Sequence, residues 1–173
     1  MRIILNTGIS GSGKSVGLNA LEDAGYFCVD NLPPTLLRAL VATRIEEHAD
    51  KLAVAMDARS ASSLIGLPAD IAWLQSEGHD VKVLFLTAKT DSLIARFSET
   101  RRSHPLSHRG FATDATTDRR TLTECIREER EMLAGVEEVS HVIDTSGMNA
   151  NKLRAWLKAL VETDRSPLTL LFE

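Results

Sequence analysis

The sequence predicts an α/β fold: a three-layer sandwich in which a five-stranded parallel sheet carries helices on both faces. Three observations predict it. Five short, β-branched-rich runs are nearly continuous in apolar residues, and strands that do not alternate with polar residues are buried on both faces, as in parallel sheets. Between these runs lie longer segments with helical apolar spacing, and strand-helix alternation builds a parallel sheet with covering helices. The 173-residue length, with 43% hydrophobic and 25% charged residues, suits one globular domain. A chain of that size buries roughly two-thirds of its unfolded surface without a disulfide or metal staple.

The elements follow in order. Strand-like runs stand at 2–7 (RIILNT), 26–30 (YFCVD), 52–57 (LAVAMD), 81–87 (VKVLFLT) and 141–145 (HVIDT), and helical spacing occupies 14–24, 34–48, 68–77, 91–102, 117–134 and 149–162. The third strand is expected beside the first. Residues 103–116 (SHPLSHRGFATDAT) have no periodicity, and irregular stretches of that length are often functional loops or lids. Residues 1–164 read as one domain. Residues 165–173, with the apolar run Leu168–Phe172 after Ser166-Pro167, read as a linker and the first strand of an additional C-terminal domain.

Composition excludes several classes. No apolar run nears the ~20 residues of a membrane helix, and the N-terminus has no secretory pattern. Cys28 and Cys125 are far apart and in no metal-ligand spacing, so they read as reduced thiols of a cytoplasmic protein without a membrane partner. The net charge of −4 argues against a whole-surface nucleic-acid binder. Aromatic residues make up only 5% of the chain and do not interleave with the arginines, so RNA contacts here would be to phosphates only. Against this acidic background, Arg96, Arg101, Arg102 and Arg109 stand with Glu99 as the one acid among them, a local excess of positive charge suited to an anion.

The segment Gly8-Ile9-Ser10-Gly11-Ser12-Gly13-Lys14-Ser15 fits G-x-x-x-x-G-K-[ST] in full, with a strand before it and a helix after it. Glycines let the backbone curl so that successive N–H groups point at an anion, and the loop feeds a helix N-terminus of partial positive charge. Lys14 is expected to reach the β- and γ-phosphates, and the Ser15 hydroxyl to ligate Mg²⁺. This makes the fold a P-loop NTPase sandwich resembling nucleoside-monophosphate kinases, and the cofactors ATP or GTP with Mg²⁺.

A P-loop site needs an acid at a neighbouring strand end for the metal. Asp57 is the first choice, since it closes the run expected beside the first strand. Asp30 is the second, and it could instead face a phosphate acceptor. The ordinary role of such an Asp is to cap a turn or helix. Asp144-Thr145-Ser146-Gly147 and Asn151-Lys152 mimic GTPase motifs, but Arg154 stands where the guanine-reading acid belongs, so the base remains open. Arg101 and Arg102, at a helix end before the irregular loop, are the candidates for stabilising charge on a transferring phosphate, and Arg59 could reach the same space. Surface pairing with Glu99, Glu128 and Glu129 is the bland alternative. His104 and His108 read as solvated loop histidines.

With Val29-Asp30-Asn31-Leu32-Pro33, Asp57-Ala58-Arg59-Ser60 and Ser98–Leu106 (SETRRSHPL) added to the P-loop, the chain resembles the RapZ/YvcJ family of bacterial nucleotide-binding proteins, which includes RNase adapter proteins of small-RNA and amino-sugar regulation. The match runs from Met1 to about Ser146. The resemblance implies ATP binding at Gly8–Ser15, a GTP-associated segment at Asp57, Ala58, Arg59 and Ser60, and weak ATPase and GTPase activity. RNA and an RNase would be met through the additional C-terminal domain, with oligomerisation open. Thr87 departs from the Asp common in the family and leaves Asp57 favoured as the metal acid. The residues also suit a second function, a small-molecule kinase of the nucleoside-monophosphate type.

Overall fold

The computed structural model describes residues 1–56, 66–101, 103–107 and 121–163. Five parallel strands form one sheet in the order β2-β3-β1-β4-β5. They are β1 (Arg2–Gly8), β2 (Phe27–Val29), β3 (Lys51–Ala55), β4 (Asp80–Thr87) and β5 (His141–Asp144). As the sequence predicts, β3 lies beside β1, with Ile4 opposite Ala53, and β4 flanks β1 on its other side, with Leu5 opposite Val83. The central strands β1 and β3 are buried along most of their length and β4 over Val83–Leu86, whereas in the edge strands β2 and β5 only Ile143 is buried.

Helices α1 (Lys14–Asp23), α2 (Leu37–Glu46), α3 (Leu67–Ser76), α4 (Thr90–Thr100), α5 (Leu122–Glu137) and α6 (Ala150–Thr163) complete the described fold. Alternate residues of a strand point to opposite faces, and the core divides accordingly. Ile3, Leu5, Leu52, Val54, Val83 and Phe85 pack under α2–α5. Ile4, Ala53, Leu84, Leu86 and Ile143 pack under α1 and α6.

Most element boundaries shift by one or two residues from the sequence reading, and two helices differ in an informative way. The helix expected over 34–48 opens as a 3₁₀ turn at Pro34–Leu36 and stops at Glu46, because His48 adopts φ 57° and a left-handed residue ends a helix. The helix expected over 117–134 continues to Glu137, and its described part begins after Thr121. The Thr121 side chain accepts from the Glu124 N–H while Glu124 reaches back to the Thr121 N–H. This is the S/T-x-x-E box that marks a helix start, and it is visible in the sequence. Residues 117–120 lie outside the described residues.

Candidate functional site

The Gly8–Ser15 loop leaves the C-terminal end of the central strand, where β4 crowds its start. Gly8 holds φ 128°, and a Cβ there would stand 2.0 Å from the Leu86 carbonyl oxygen. The Ile9 N–H donates to that same carbonyl at 3.0 Å, and the Ile9 side chain is buried beneath the loop. A turn closes with Ser12 N–H donating to the Ile9 carbonyl at 3.0 Å. Gly13, at φ 110°, caps α1 without a side-chain hydrogen bond, which leaves the first-turn N–H groups to a ligand rather than to a capping side chain. The loop lines a cleft of about 710 Å³ that also meets Asp30, Asn31, Phe97 and Thr100.

Lys14 reaches back over the loop, its Nζ donating to the Gly8 carbonyl at 2.7 Å. The Lys14 carbonyl is held from below by Asn6 Nδ2 at 2.8 Å. Behind the loop, the Glu129 carboxylate of α5 accepts from the Ser10 N–H at 2.9 and 3.0 Å, from Ser10 Oγ at 2.7 Å, and meets His104 Nε2 at 3.0 Å. At the side, Arg96 Nη1 donates to the Gly11 carbonyl at 3.1 Å and Arg96 Nη2 to the Thr145 carbonyl at 2.5 Å. The loop is thus braced by α4, α5 and the turn after β5.

Of the residues named from sequence, Gly11, Ser12, Gly13, Lys14 and Ser15 line the cleft together with Ser10, Asp30, Arg96 and Glu99; Gly8 and Ile9 form its root. Asp57, Ala58, Arg59, Ser60, Arg102, His108 and Arg109 lie outside the described residues. Arg101 is exposed at the end of α4 with φ 51° and does not line the cleft. Ser15 and Asp30 supply a hydroxyl and a carboxylate oxygen to one cleft, donors of the type Mg²⁺ takes. Among the described residues no cluster of three His, Cys, Asp or Glu could hold a metal ion by itself. Thr87 Oγ1 accepts from Arg130 Nη1 at 3.2 Å.

Two expectations are corrected by the geometry. His104 is buried against Glu129, not solvated, and Glu129 is fully buried rather than a surface partner for arginines. Arg96 lines the same cleft as the phosphate loop and there donates to the carbonyl groups of Gly11, Thr145 and Met148, so it also braces backbone. A signal for Glu129 existed. It falls on the apolar face of α5 set by Cys125, Ile126, Leu133 and Val136, and an acid inside such a stripe needs a buried partner. Nothing local marks the His104–Glu129 contact or the Arg96–Gly11 contact, which span 25 and 85 residues of the chain. The GTPase mimic at Asp144 is a turn, with Asp144 accepting from the Ser146 N–H at 2.8 Å.

The family of RapZ-like N-terminal domains matches residues 1–165. A "nucleotide-binding protein" of Janthinobacterium sp. (strain Marseille) is 88% identical over 173 residues, covering 100% of this chain and 60% of that protein. One of the same description from Paraburkholderia phytofirmans (strain DSM 17436 / LMG 22146 / PsJN) is 59% identical over 174 residues, covering 100% of this chain and 58% of the relative. The chain therefore spans less than two-thirds of these curated relatives. Among solved structures, shikimate kinase from Bacteroides thetaiotaomicron superposes with a TM-score of 0.57 at 12% identity, covering 96% of this chain and 99% of that one. Shikimate kinase from Acinetobacter baumannii gives 0.56 at 16%, covering 95% and 94%. At these identities the likeness concerns the fold.

Proposed function

Since this chain belongs to the RapZ-like N-terminal domain family, we propose that it binds a nucleoside triphosphate, ATP or GTP, with Mg²⁺ and hydrolyses it slowly as the nucleotide-state domain of a longer cytoplasmic regulatory protein. One observation carries the reading: a complete G-x-x-x-x-G-K-[ST] loop leaves the central strand and opens α1 without a side-chain cap, on the wall of a cleft of about 710 Å³. In this proposal the loop amides and Lys14 hold the phosphates, and Ser15 holds the metal with Asp57, or with Asp30 as the second choice. Asp57, Ala58, Arg59 and Ser60 form a second, GTP-associated contact. Arg101 and Arg102 stabilise charge on the phosphate in transfer, which for Arg101 requires its side chain to turn from the exposed end of α4 into the cleft. Mg²⁺ would neutralise phosphate charge. In hydrolysis the bond from γ-phosphorus to the bridging oxygen breaks, a bond to water oxygen forms, and the water proton passes to solvent.

For the longer protein the proposal extends to an RNase-adapter role in small-RNA and amino-sugar regulation, with RNA and RNase contacts made outside this chain. A second reading, a small-molecule kinase, is favoured by one feature: Asp30 and Asn31, the latter at φ 54°, line the same cleft as the phosphate loop and could face an acceptor hydroxyl. Following labelled γ-phosphate of ATP and GTP separates the two. Slow inorganic phosphate that stops with Lys14→Ala, in a variant that still melts cooperatively, supports the switch. Rapid label on a nucleoside monophosphate or sugar phosphate overturns it in favour of the kinase.

A further inference from the structure

The carboxylate of Glu129 has 0% exposure and lies behind a loop read above as an anion site. A buried charge costs several kcal/mol unless well paired and hydrogen-bonded. Here Ser10 N–H and Ser10 Oγ–H both donate to it, and His104 Nε2 lies 3.0 Å from Glu129 Oε2. The Leu106 N–H donates to His104 Nδ1 at 3.2 Å, which fits a neutral imidazole with its proton on Nε2, directed at Glu129. Burial pushes the Glu129 carboxyl up, but the hydrogen bond from His104, the charge of Lys14 and the bonds from Ser10 together hold it below the usual carboxylate range.

Glu129 is not among the cleft-lining residues, so it does not touch a ligand there. Its negative charge also opposes the binding of a polyphosphate in front of it. A purely stabilising role would be filled as well by an apolar side chain, because replacing buried charge by packed hydrocarbon is often neutral or favourable. What the carboxylate does that hydrocarbon cannot is accept from several donors at once, two of them on the third residue of the phosphate loop.

We infer that Glu129, oriented by His104, is a positioning residue that holds Ser10 by its N–H and its hydroxyl and so presets the following loop amides for a triphosphate before the ligand arrives. The inference rests on the phosphate-loop reading above. Preorganised donors bind without an ordering cost at the moment of binding.

The sign of one substitution tests it. Glu129→Gln keeps the shape, removes the charge and turns one acceptor into a donor that opposes Ser10 or His104. Charge repulsion alone predicts tighter binding, and a merely structural role predicts unchanged affinity well below the melting point. Positioning predicts a loss of about tenfold or more for MgATP and for inorganic triphosphate alike, the scale of a hydrogen bond to a charged group. Titration calorimetry of the chain reads this. His104→Gln, which keeps a donor toward Glu129, recovers most of the affinity that His104→Leu loses. Should Glu129→Gln not fold, the two His104 variants and Ser10→Ala, expected to weaken binding several-fold, carry the test.

Unchanged or tighter binding in Glu129→Gln, or wild-type affinity in His104→Leu, overturns the inference. Lys14→Ala tells the two readings apart. If it loses triphosphate while Glu129→Gln does not, only the positioning role fails. If Lys14→Ala binds as the wild type does, the phosphate-loop reading fails and the inference with it.

Discussion

Arg96 and Thr145 are joined twice: Nη2 donates to the Thr145 carbonyl at 2.5 Å, and Nη1 lies 3.0 Å from the Thr145 hydroxyl while also reaching the Gly11 carbonyl at 3.1 Å. Thr145 Oγ1 in turn lies 2.8 Å from the Ser12 carbonyl. One helix, the turn after the edge strand β5 and the phosphate loop therefore share a single guanidinium. Arg96→Met keeps the aliphatic stem and removes these donors. A cost of about 1.5–3 kcal/mol is expected, as for hydrogen bonds made by a charged group. It is read as a lower urea midpoint with an unchanged slope.

Gly8→Ala is expected to be the most damaging single methyl in the loop. The added Cβ meets the Leu86 carbonyl oxygen at 2.0 Å and the Leu86 nitrogen at 2.6 Å, both backbone atoms of β4, and the φ of 128° disfavours any L side chain. A destabilisation of at least ~3 kcal/mol should follow from strain and clash together. Thermal melting checks it. A melting point within a degree or two of the wild type would show that the strands yield.

The two candidate metal acids can be ranked by calorimetry with and without Mg²⁺. Asp57→Asn should weaken the Mg²⁺-dependent part of triphosphate binding more than Asp30→Asn does. Asp30 lines the cleft with Ser15, so the reverse order would move the metal to Asp30.

Arg101→Ala and Arg102→Ala should lower turnover more than affinity, because an electrostatic contact made in the transition state acts on the barrier. Removal of such a contact costs about 3–4 kcal/mol in preorganised sites. Equal loss of affinity and turnover would mark them as ground-state phosphate contacts.

Acid should unfold the wild type more steeply than Glu129→Gln. Buried among hydrogen-bond donors, the Glu129 carboxyl titrates below its ordinary value of 4.5. A carboxyl lowered in the folded state adds stability above its unfolded pKa and loses it as pH falls through the folded one. The wild-type urea midpoint should therefore fall from just above about pH 4.5 downward, while this part of the slope is missing in Glu129→Gln. Parallel curves for the two proteins would remove Glu129 from the acid response.

The architecture and the phosphate loop were legible because both are written locally. Ile3, Leu5 and Val83 against Ile4, Leu84 and Leu86 encode a sheet covered on two faces with no need to know which helix does the covering. Gly8, Gly13, Lys14 and Ser15 encode the loop within eight consecutive positions. The placement of His104 and Arg96 was decided by tertiary structure alone. Neither the Ser10–Glu129 contact, spanning 119 residues, nor the Gly11–Arg96 contact, spanning 85, leaves a periodic trace in the chain. Both exist because parallel β-α crossovers return successive helices and loops to the same end of the sheet. Glu129 stands between the two cases. Its place on the apolar face of α5 is visible in the sequence, and the physics of buried charge demands a partner, but only the fold supplies Ser10 and His104.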